Sequence, residues 1–533
     1  MLHTQYLTQL SNLFEPYNSD SDFWKPVFSH LQELVIIANL NLDPLSPKLE
    51  RFYCPHPRAP HRDPLCMLRS LVLMHLMKIS SITEWVQLTR TLSFYALLAG
   101  FVPDDTPGIG TYYDFMKRLI DGPYQKPCDH IVRPSTYMSG SHIRNLYQEK
   151  EIKKEALNPY NSQSQVLADK LLNCSQAPRQ DDFYKILEDM QLLAGLVPSV
   201  EQGLIIDIQN ITACGDGSIL QTAASPNGQP TCHCKANGIR KCDHPRSYTS
   251  PTAQWCYDHH HDVFIFGDRY YLVATTQNGH DFPLLTIMPG GNESDFTLSL
   301  KAFDRLLKAI LENNINIRIH IFCGDCHHDS YAHYQYLAAK NVLPVIPVSV
   351  NTQNSYPHLA DNTSITLDTN GHSLCPAGLK MRYHQFNQKK QTHVYTCPVK
   401  RPTRKDGKYC YITHLDECPL HQDCNPRSSL APLIYIKSSD DPRLFPQIPR
   451  DSKQFKDIMK QRNACERLNS VIDSYDIDRA TRNAHYGLIR LTLVSIVEHA
   501  VIRYMEALKR YDSPKAYIAH TLKQIGVHYF DTS

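Results

Sequence analysis

Through NINIRIHIF, Ile315, Ile317, Ile319 and Ile321 alternate with polar or basic neighbours. That is the period-two pattern of a strand with one buried face. The run stops at Cys-Gly-Asp, so the pattern places Asp325 just past a strand end. Asp329 precedes SYAHYQYLAAK, a helical run, and suits the N-cap of that helix, which leaves Asp325 without a structural task. VLPVIPVSV, from Val342 to Val350, reads as another buried strand. Strand, acid, loop, helix and strand in succession predict a parallel pairing. Acids at the carboxyl ends of such strands stand where α/β sheets build their sites.

The same reading extends in both directions. Beyond Gly203, LIIDIQNITACGDGS is a strand-like run that carries Asp216 between two glycines. VFIFGDRYYLVATT and FPLLTIMPG follow as two more strands, then an amphipathic helix from Ser294 to Leu311. After the Ile315 strand, about a hundred residues rich in Pro, Cys, Tyr and Lys/Arg lack helical period and predict a β-rich insertion. Helical period returns in SKQFKDIMKQRNACERLNSVIDSY, where Phe455, Ile458, Cys465, Leu468, Ile472 and Tyr475 share one side. Arg462, Glu466, Asn469 and Asp473 form a polar line along its border. The last long helix, RNAHYGLIRLTLVSIVEHAVIRYMEALKR, is apolar enough to pack against the sheet.

Toward the N-terminus, Asp63 and Pro64 open the helix LCMLRSLVLMHLMK. Ser81 and Glu84 form a capping box that opens ITEWVQLTRTLSFYALLA, closed by Gly100, and TYYDFMKRL is a third helix. Three helices of this kind suit a helix-turn-helix unit, or equally a bundle used for packing or dimerisation, because no Lys/Arg cluster decorates the third. The resulting division is a helical domain over 1–125, a linker with helical pieces over 126–203, a core over 204–350 completed by 448–533, and an insertion over 351–447.

Composition narrows the function classes. A chain of 533 residues is too long for one core. A net charge of +2 means that any nucleic-acid surface must be local. One such stretch runs from Lys380 to Lys408, with nine Lys/Arg against one acid. It includes Lys389, Lys390, Arg404 and Lys405, interleaved with Tyr383, Phe386 and Tyr395, and suits phosphate contact and base stacking; a solvated loop is the alternative. MLHTQYLTQL is not a signal peptide, and LIRLTLVSIVEHAVIR is interrupted by Arg490 and Glu498, so the chain is expected to be soluble, cytoplasmic and nucleoid-associated.

Seventeen scattered cysteines in a reducing compartment are thiols or metal ligands. Cys397, Cys410, Cys418 and Cys424, with His414 and His421, offer a structural Zn²⁺ knuckle but lack a C-x-x-C pair. Cys232 and Cys234, with Cys242 and His244, form a second such cluster. In Asp258-His259-His260-His261-Asp262, successive side chains alternate between faces, which favours a polar lead into a strand over a hydrolytic zinc site.

Asp216, Asp325 and Glu466 are the acids that this pattern leaves at two strand ends and on a helix face beside the core. Hard oxygen ligands of this type suit Mg²⁺ or Mn²⁺, and two such ions can drive in-line phosphoryl displacement. Taken singly, Gly-Asp-Gly is also an ordinary turn, and Arg462 with Glu466 an ordinary i,i+4 ion pair.

The order strand-Asp216, strand-Asp325, helix-Glu466 in RNACERLN resembles the DDE transposases of bacterial insertion sequences, over most of Leu204 to Arg510. HRDPLCMLRSLVLMHLM with TYYDFMKRL, and SPTAQWCYD before the second strand, are similar to further stretches of that family. The resemblance implies an α/β chain whose RNase H-like mixed sheet is flanked by helices, with an N-terminal all-α domain and a β-rich insertion. It implies that Asp216, Asp325 and Glu466 bind the catalytic divalent metals, Mg²⁺ or Mn²⁺. The activity implied is hydrolysis of a phosphodiester at the element end, followed by attack of the freed 3′-OH on target DNA. The partners implied are double-stranded DNA, as inverted-repeat ends and target, and further copies of the chain on that DNA. The family's Tyr, Arg, Glu, Lys signature is kept at Arg462 and Glu466, but Met459 stands for the Tyr and Asp473 for the Lys. Arg462, then Arg467, are the candidates to grip the terminal phosphate. A transposase-derived DNA-binding protein with a dead site, or a zinc-dependent hydrolase using the 258–262 cluster, are the competing functions.

Overall fold

Alternation along the strands decides which layer each side chain enters, and the structure can be built from that. The computed structural model describes residues 1–55, 61–124, 163–239, 242–244, 246–258, 262–291, 293–349, 372–406, 408–413, 418 and 433–527, with the backbone of 142–144 and 366–367. Five strands form the body of the six-stranded central sheet: β1 (Ile211–Gln221), β2 (Val263–Gln277), β3 (His280–Ile287), β4 (Ile319–Cys323) and β5 (Leu343–Val345). Their order across the sheet is β3-β2-β1-β4-β5. The β1–β2 and β2–β3 pairs are antiparallel, whereas β1–β4 and β4–β5 are parallel, so the sheet is mixed. A short strand, Gln254–Asp258, pairs with the first part of β2.

Helices α1 (Asp295–Glu312) and α2 (Tyr331–Ala339) link β3 to β4 and β4 to β5. Ile211, Ala213, Tyr271, Val273 and Phe322 share a buried cluster with Leu298, Phe303 and Leu306 of α1. Their strand neighbours Cys214, Leu272, Ala274, Ile321 and Cys323 enter the opposite cluster. That second cluster holds Ala464, Cys465 and Leu468 of α3 (Asn463–Asp473) and Leu488, Leu491 and Val494 of α4 (Ala484–Leu508). It continues without a break into Leu68, Leu71, Trp85, Tyr112 and Phe115 of the N-terminal helices. Among the described residues, no helix is long and apolar enough to cross a membrane.

Several elements are shorter than the apolar pattern suggests. Ile315 and Ile317 precede β4, which starts at Ile319, and residues 204–210 lead into β1 without joining it. The helix expected from Ser81 to Gly100 is two helices, Ile82–Thr91 and Ser93–Ala99, separated at Leu92, whose extended backbone (φ −118°, ψ 97°) interrupts the helical path. The stretch from Lys453 likewise divides into Lys453–Met459, a 3₁₀ turn at Lys460–Arg462, and α3. The apolar stripe survives the break: Phe455, Ile458, Cys465, Leu468, Ile472 and Tyr475 are all buried.

The segment between β5 and α3 is rich in strands. Arg382–Asn387, Thr392–Thr396 and Leu433–Lys437 pair antiparallel, and Lys400–Lys405 pairs with Lys408–Thr413. Its return to the core is fixed by an ion pair that corrects the reading of Asp329. The N-cap position of α2 is Ser330, not Asp329. Asp329 is instead fully buried and accepts two hydrogen bonds from Arg443, Nε at 2.9 Å and Nη2 at 2.6 Å, plus one from Ser349 N at 2.8 Å. A buried carboxylate needs a partner of this kind more than a helix needs a cap, because its desolvation cost is the larger. Arg450 reinforces the junction, donating to Ile346 O, Leu444 O and Tyr334 Oη. The strand-rich segment is thereby tied to the loop that carries Asp325.

Arg443→Ala should therefore cost about 3–5 kcal/mol of unfolding free energy by leaving Asp329 buried and uncompensated. The double variant Asp329→Asn with Arg443→Met should recover most of it, as followed by chemical denaturation. Equal stability of Arg443→Ala and the native chain would show that the pair does not anchor this junction.

Candidate active site

Asp216 lies in the middle of β1, not at a strand end as the pattern suggests, because the strand runs on to Gln221 beside β2; it pairs with Leu272, and its neighbours Gly215 and Gly217 point to the other face. Both glycines are required by close approaches. A Cβ at Gly215 would overlap the Tyr271 hydroxyl, and one at Gly217 would overlap the Asp295 carboxylate. Gly-Asp-Gly here is strand, not turn, with glycines where neighbouring side chains cross the strand.

Tyr271 uses that crossing to reach the β4 side of the sheet. Its hydroxyl lies 2.6 Å from His328 Nε2, and His328 Nδ1 lies 2.7 Å from Asp325 Oδ1. Burial holds the Tyr271 hydroxyl well above its ordinary range, so it stays protonated. His328 joins that hydroxyl to the Asp325 carboxylate through its two ring nitrogens. Asp325 also receives the His327 backbone N–H at 2.9 Å and His327 Nδ1 at 2.9 Å. It is the N-cap of a 3₁₀ turn, Cys326–His328, which corrects the expectation that it has no structural task. Burial alone would raise its carboxyl, but the hydrogen bonds from His328 and His327 outweigh burial and hold it well below the usual carboxylate range.

Asp216 is shifted the opposite way. Burial first, then the charges of Asp295 and Asp325, push its carboxyl up to about 6, against the opposing pull of Arg462 and His328. Asp295, the first residue of α1, is a fourth acid at this place that the sequence reading absorbed into a helix start. Arg269 Nη1 stands 3.2 Å from it.

Glu466 projects from the first turn of α3, about half exposed, and accepts a 2.6 Å hydrogen bond from Arg462 Nη2. Although partial burial works against its charge, the Arg462 guanidinium is held above its ordinary range by Glu466, then Asp216, then Asp325. Glu466 is thus the acid that touches Arg462, while Asp216 and Asp325 act on it through their charge alone. Helix α3 is held over β1 and β2 by its buried Cys465 and by the 3.0 Å hydrogen bond from the Tyr270 hydroxyl to Asn469 Oδ1.

The other candidates divide. Arg467 is engaged by Asp281 through Nε and Nη2, at 2.5 and 2.7 Å. Lys389 and Lys390 are exposed at the tip between Arg382–Asn387 and Thr392–Thr396. Arg404 and Lys405 lie on Lys400–Lys405, with side chains outside the described residues. Cys397 and Cys418 are buried beside Val399, while the side chains of Cys410, His414, His421 and Cys424 lie outside the described residues. His259, His260 and His261 also lie outside them; Asp262 forms the left-handed turn into β2 (φ +56°) and takes the Tyr257 hydroxyl.

Residues 198–485, more than half of the chain, match the family model described as a transposase DDE domain. No curated protein matches the chain. The matched span contains β1 with Asp216, the β4 loop with Asp325, and α3 with Glu466. With that span covered by one model, the chain belongs to the DDE transposase family.

Proposed function

We propose that this transposase hydrolyses a phosphodiester at the ends of its element and transfers the freed 3′-OH into target DNA, with Asp216, Asp325 and Glu466 as its metal-binding carboxylates. The observation that carries the reading is the family match over residues 198–485, whose span holds all three acids, together with the pairing of Arg462 to Glu466 at 2.6 Å. We also read the mixed sheet as the RNase H-like core that the family resemblance implies. In this reading 204–350 and 448–533 make that core, 351–447 is a DNA-facing insertion, 1–125 serves DNA contact or assembly, and 126–203 is a linker.

The donor set fits Mg²⁺ or Mn²⁺: carboxylate oxygens only, with no thiolate or imidazole among the three. An acid raised to about 6 by burial first, and then by two neighbouring acids, is one whose charge a divalent cation would stabilise. Bound there, the metal would polarise the scissile phosphate and assist both the attacking and the leaving oxygen.

The chain's own groups supply the rest. His328 fixes the Asp325 carboxylate so that it does not reorient, and Tyr271 fixes His328 in turn. Arg462, freed from Glu466, is placed to take a phosphate oxygen, a bidentate match that lysine lacks. Arg467 is a weaker candidate because Asp281 already holds it. Lys389, Lys390, Arg404 and Lys405 would track the DNA backbone, with the double-stranded ends and target bridged by more than one copy of the chain.

Asp216→Asn, Asp325→Asn and Glu466→Gln should each lower Mg²⁺-dependent nicking of a plasmid carrying the DNA that flanks the coding region by about 10³-fold or more. A loss of that size corresponds to several kcal/mol of charge stabilisation. Binding to the same DNA by gel shift should stay within about threefold, since phosphate contacts by Lys/Arg dominate affinity. Undiminished nicking by any variant removes that residue from the site, and a native chain that binds but never nicks is a dead transposase.

Neutralising Lys389, Lys390, Arg404 and Lys405 together should weaken binding alike for all sequences. It should also flatten the dependence of log K on log salt by up to about 0.9 per lost contact. An unchanged slope would place the DNA elsewhere.

A further inference from the structure

Between β1 and the strand Gln254–Asp258 the chain leaves the sheet for an excursion with almost no core of its own. From Ser225 to Ile239 every residue but Gly228 is exposed or half-buried; at the base, Gln229–Pro230 pairs with Arg246–Tyr248 over two positions and the latter with His142–Arg144 over three. Backbone pairing on that scale does not order a segment by itself. Something else has to hold it.

The side chains beyond the strands show what. Gln229 lies opposite Ser247 and Pro230 opposite Arg246. Past that pairing, one arm carries Cys232 and Cys234 and the other carries Cys242 and His244. The structure has them gathered: the candidate ligand atoms of Cys232, Cys234, Cys242 and His244 all lie within 4.8 Å of one another. Cys232 Sγ is 3.5 Å from Cys242 Sγ, and Cys234 Sγ is 3.4 Å from His244 Nδ1. Tetrahedral zinc with Zn–S bonds of about 2.3 Å separates its sulfurs by about 3.8 Å, close to these values. The tip is already shaped for ligation. Asn237 N and Ile239 N both bond to Cys234 O, at 3.1 and 2.9 Å, and Gly238 takes the left-handed conformation (φ +78°) that closes the turn.

We propose that Cys232, Cys234, Cys242 and His244 bind one structural zinc ion that staples this hairpin. Closed four-ligand Cys₃His sites are structural in zinc chemistry, leaving no open position for substrate. Binding deprotonates the three thiols and takes His244 through Nδ1, and its free energy becomes folding energy of the excursion. The site is separate from the carboxylates, uses ligands of the opposite softness, and does not depend on the proposed function.

The test is metal content and thiol reactivity of the full-length chain. Metal analysis should find zinc retained through gel filtration, and Cys234→Ser or Cys242→Ser should lose one zinc per chain while leaving the remaining thermal transition in place. A measurement on the native chain guards against variants that misfold: alkylation with peptide mapping, before and after a zinc chelator. Cys232, Cys234 and Cys242 should react far more slowly than the exposed Cys174 before chelation and as fast as Cys174 after it. Equal reactivity of all four throughout, an unchanged zinc content in the serine variants, or recovery of a Cys232–Cys242 disulfide would each overturn the proposal.

Discussion

The site depends on the absence of a side chain at Gly215. Tyr271 comes from the neighbouring strand and lies across β1 where Gly215 leaves room; its hydroxyl meets His328, and His328 meets Asp325. Asp216 lies on β1 and Asp325 just past the end of the adjacent parallel strand β4, but adjacency alone does not fix the rotation of a carboxylate beyond a strand end. The Tyr271–His328 link does so through fully buried groups, for which a lost partner costs about 1–3 kcal/mol. A methyl group at 215 would push Tyr271 aside and loosen Asp325, although neither residue adjoins it in sequence. Gly217 plays the matching part for Asp295 at the start of α1.

Electrostatics follows from this packing. The hydrogen bonds to Asp325 keep it ionised, while burial, then the charge of Asp295 and that of Asp325, raise Asp216. Two carboxylates one strand apart are thus driven in opposite directions by different neighbours. Arg462 is the cation beside these charges, and its hydrogen bond to Glu466 lies within the helical stretch; the helix is tied to the sheet by Tyr270 and Asn469. Arg443, buried against Asp329 just beyond Asp325, fastens the strand-rich segment to the same loop. The anchor of the strand-rich segment and the hydrogen bonds that hold Asp325 therefore share one short stretch, Gly324 to Asp329.

Much of this was legible from periodicity. β2, β3 and α1 appear within a few residues of their predicted places, and the buried stripe from Phe455 to Tyr475 was readable from spacing alone, because burial selects residue type directly. Element ends were less legible. Ile315 and Ile317 alternate like a strand but find no partner strand in register, and Leu92 breaks a helix that its apolar residues would continue. The long-range partners were not legible at all. Nothing near Asp329 announces Arg443, more than a hundred residues away, and nothing near Gly215 announces Tyr271. His328 carried a signal, the His-His after Asp325, whereas Asp295 looked like any acid in the first turn of a helix.

The claim on which the account turns is that Asp216, Asp325 and Glu466 bind a shared divalent metal, and Mn²⁺ binding in the absence of DNA tests it most directly. Electron paramagnetic resonance titration of the full-length chain should show saturable Mn²⁺ binding that Mg²⁺ competes away. Asp216→Asn, Asp325→Asn and Glu466→Gln should each weaken it, and the double variants should weaken it by less than the sum of the singles, as ligands of one site do. Mn²⁺ binding that persists unchanged when any of the three is replaced, or losses that simply add, would contradict a shared site.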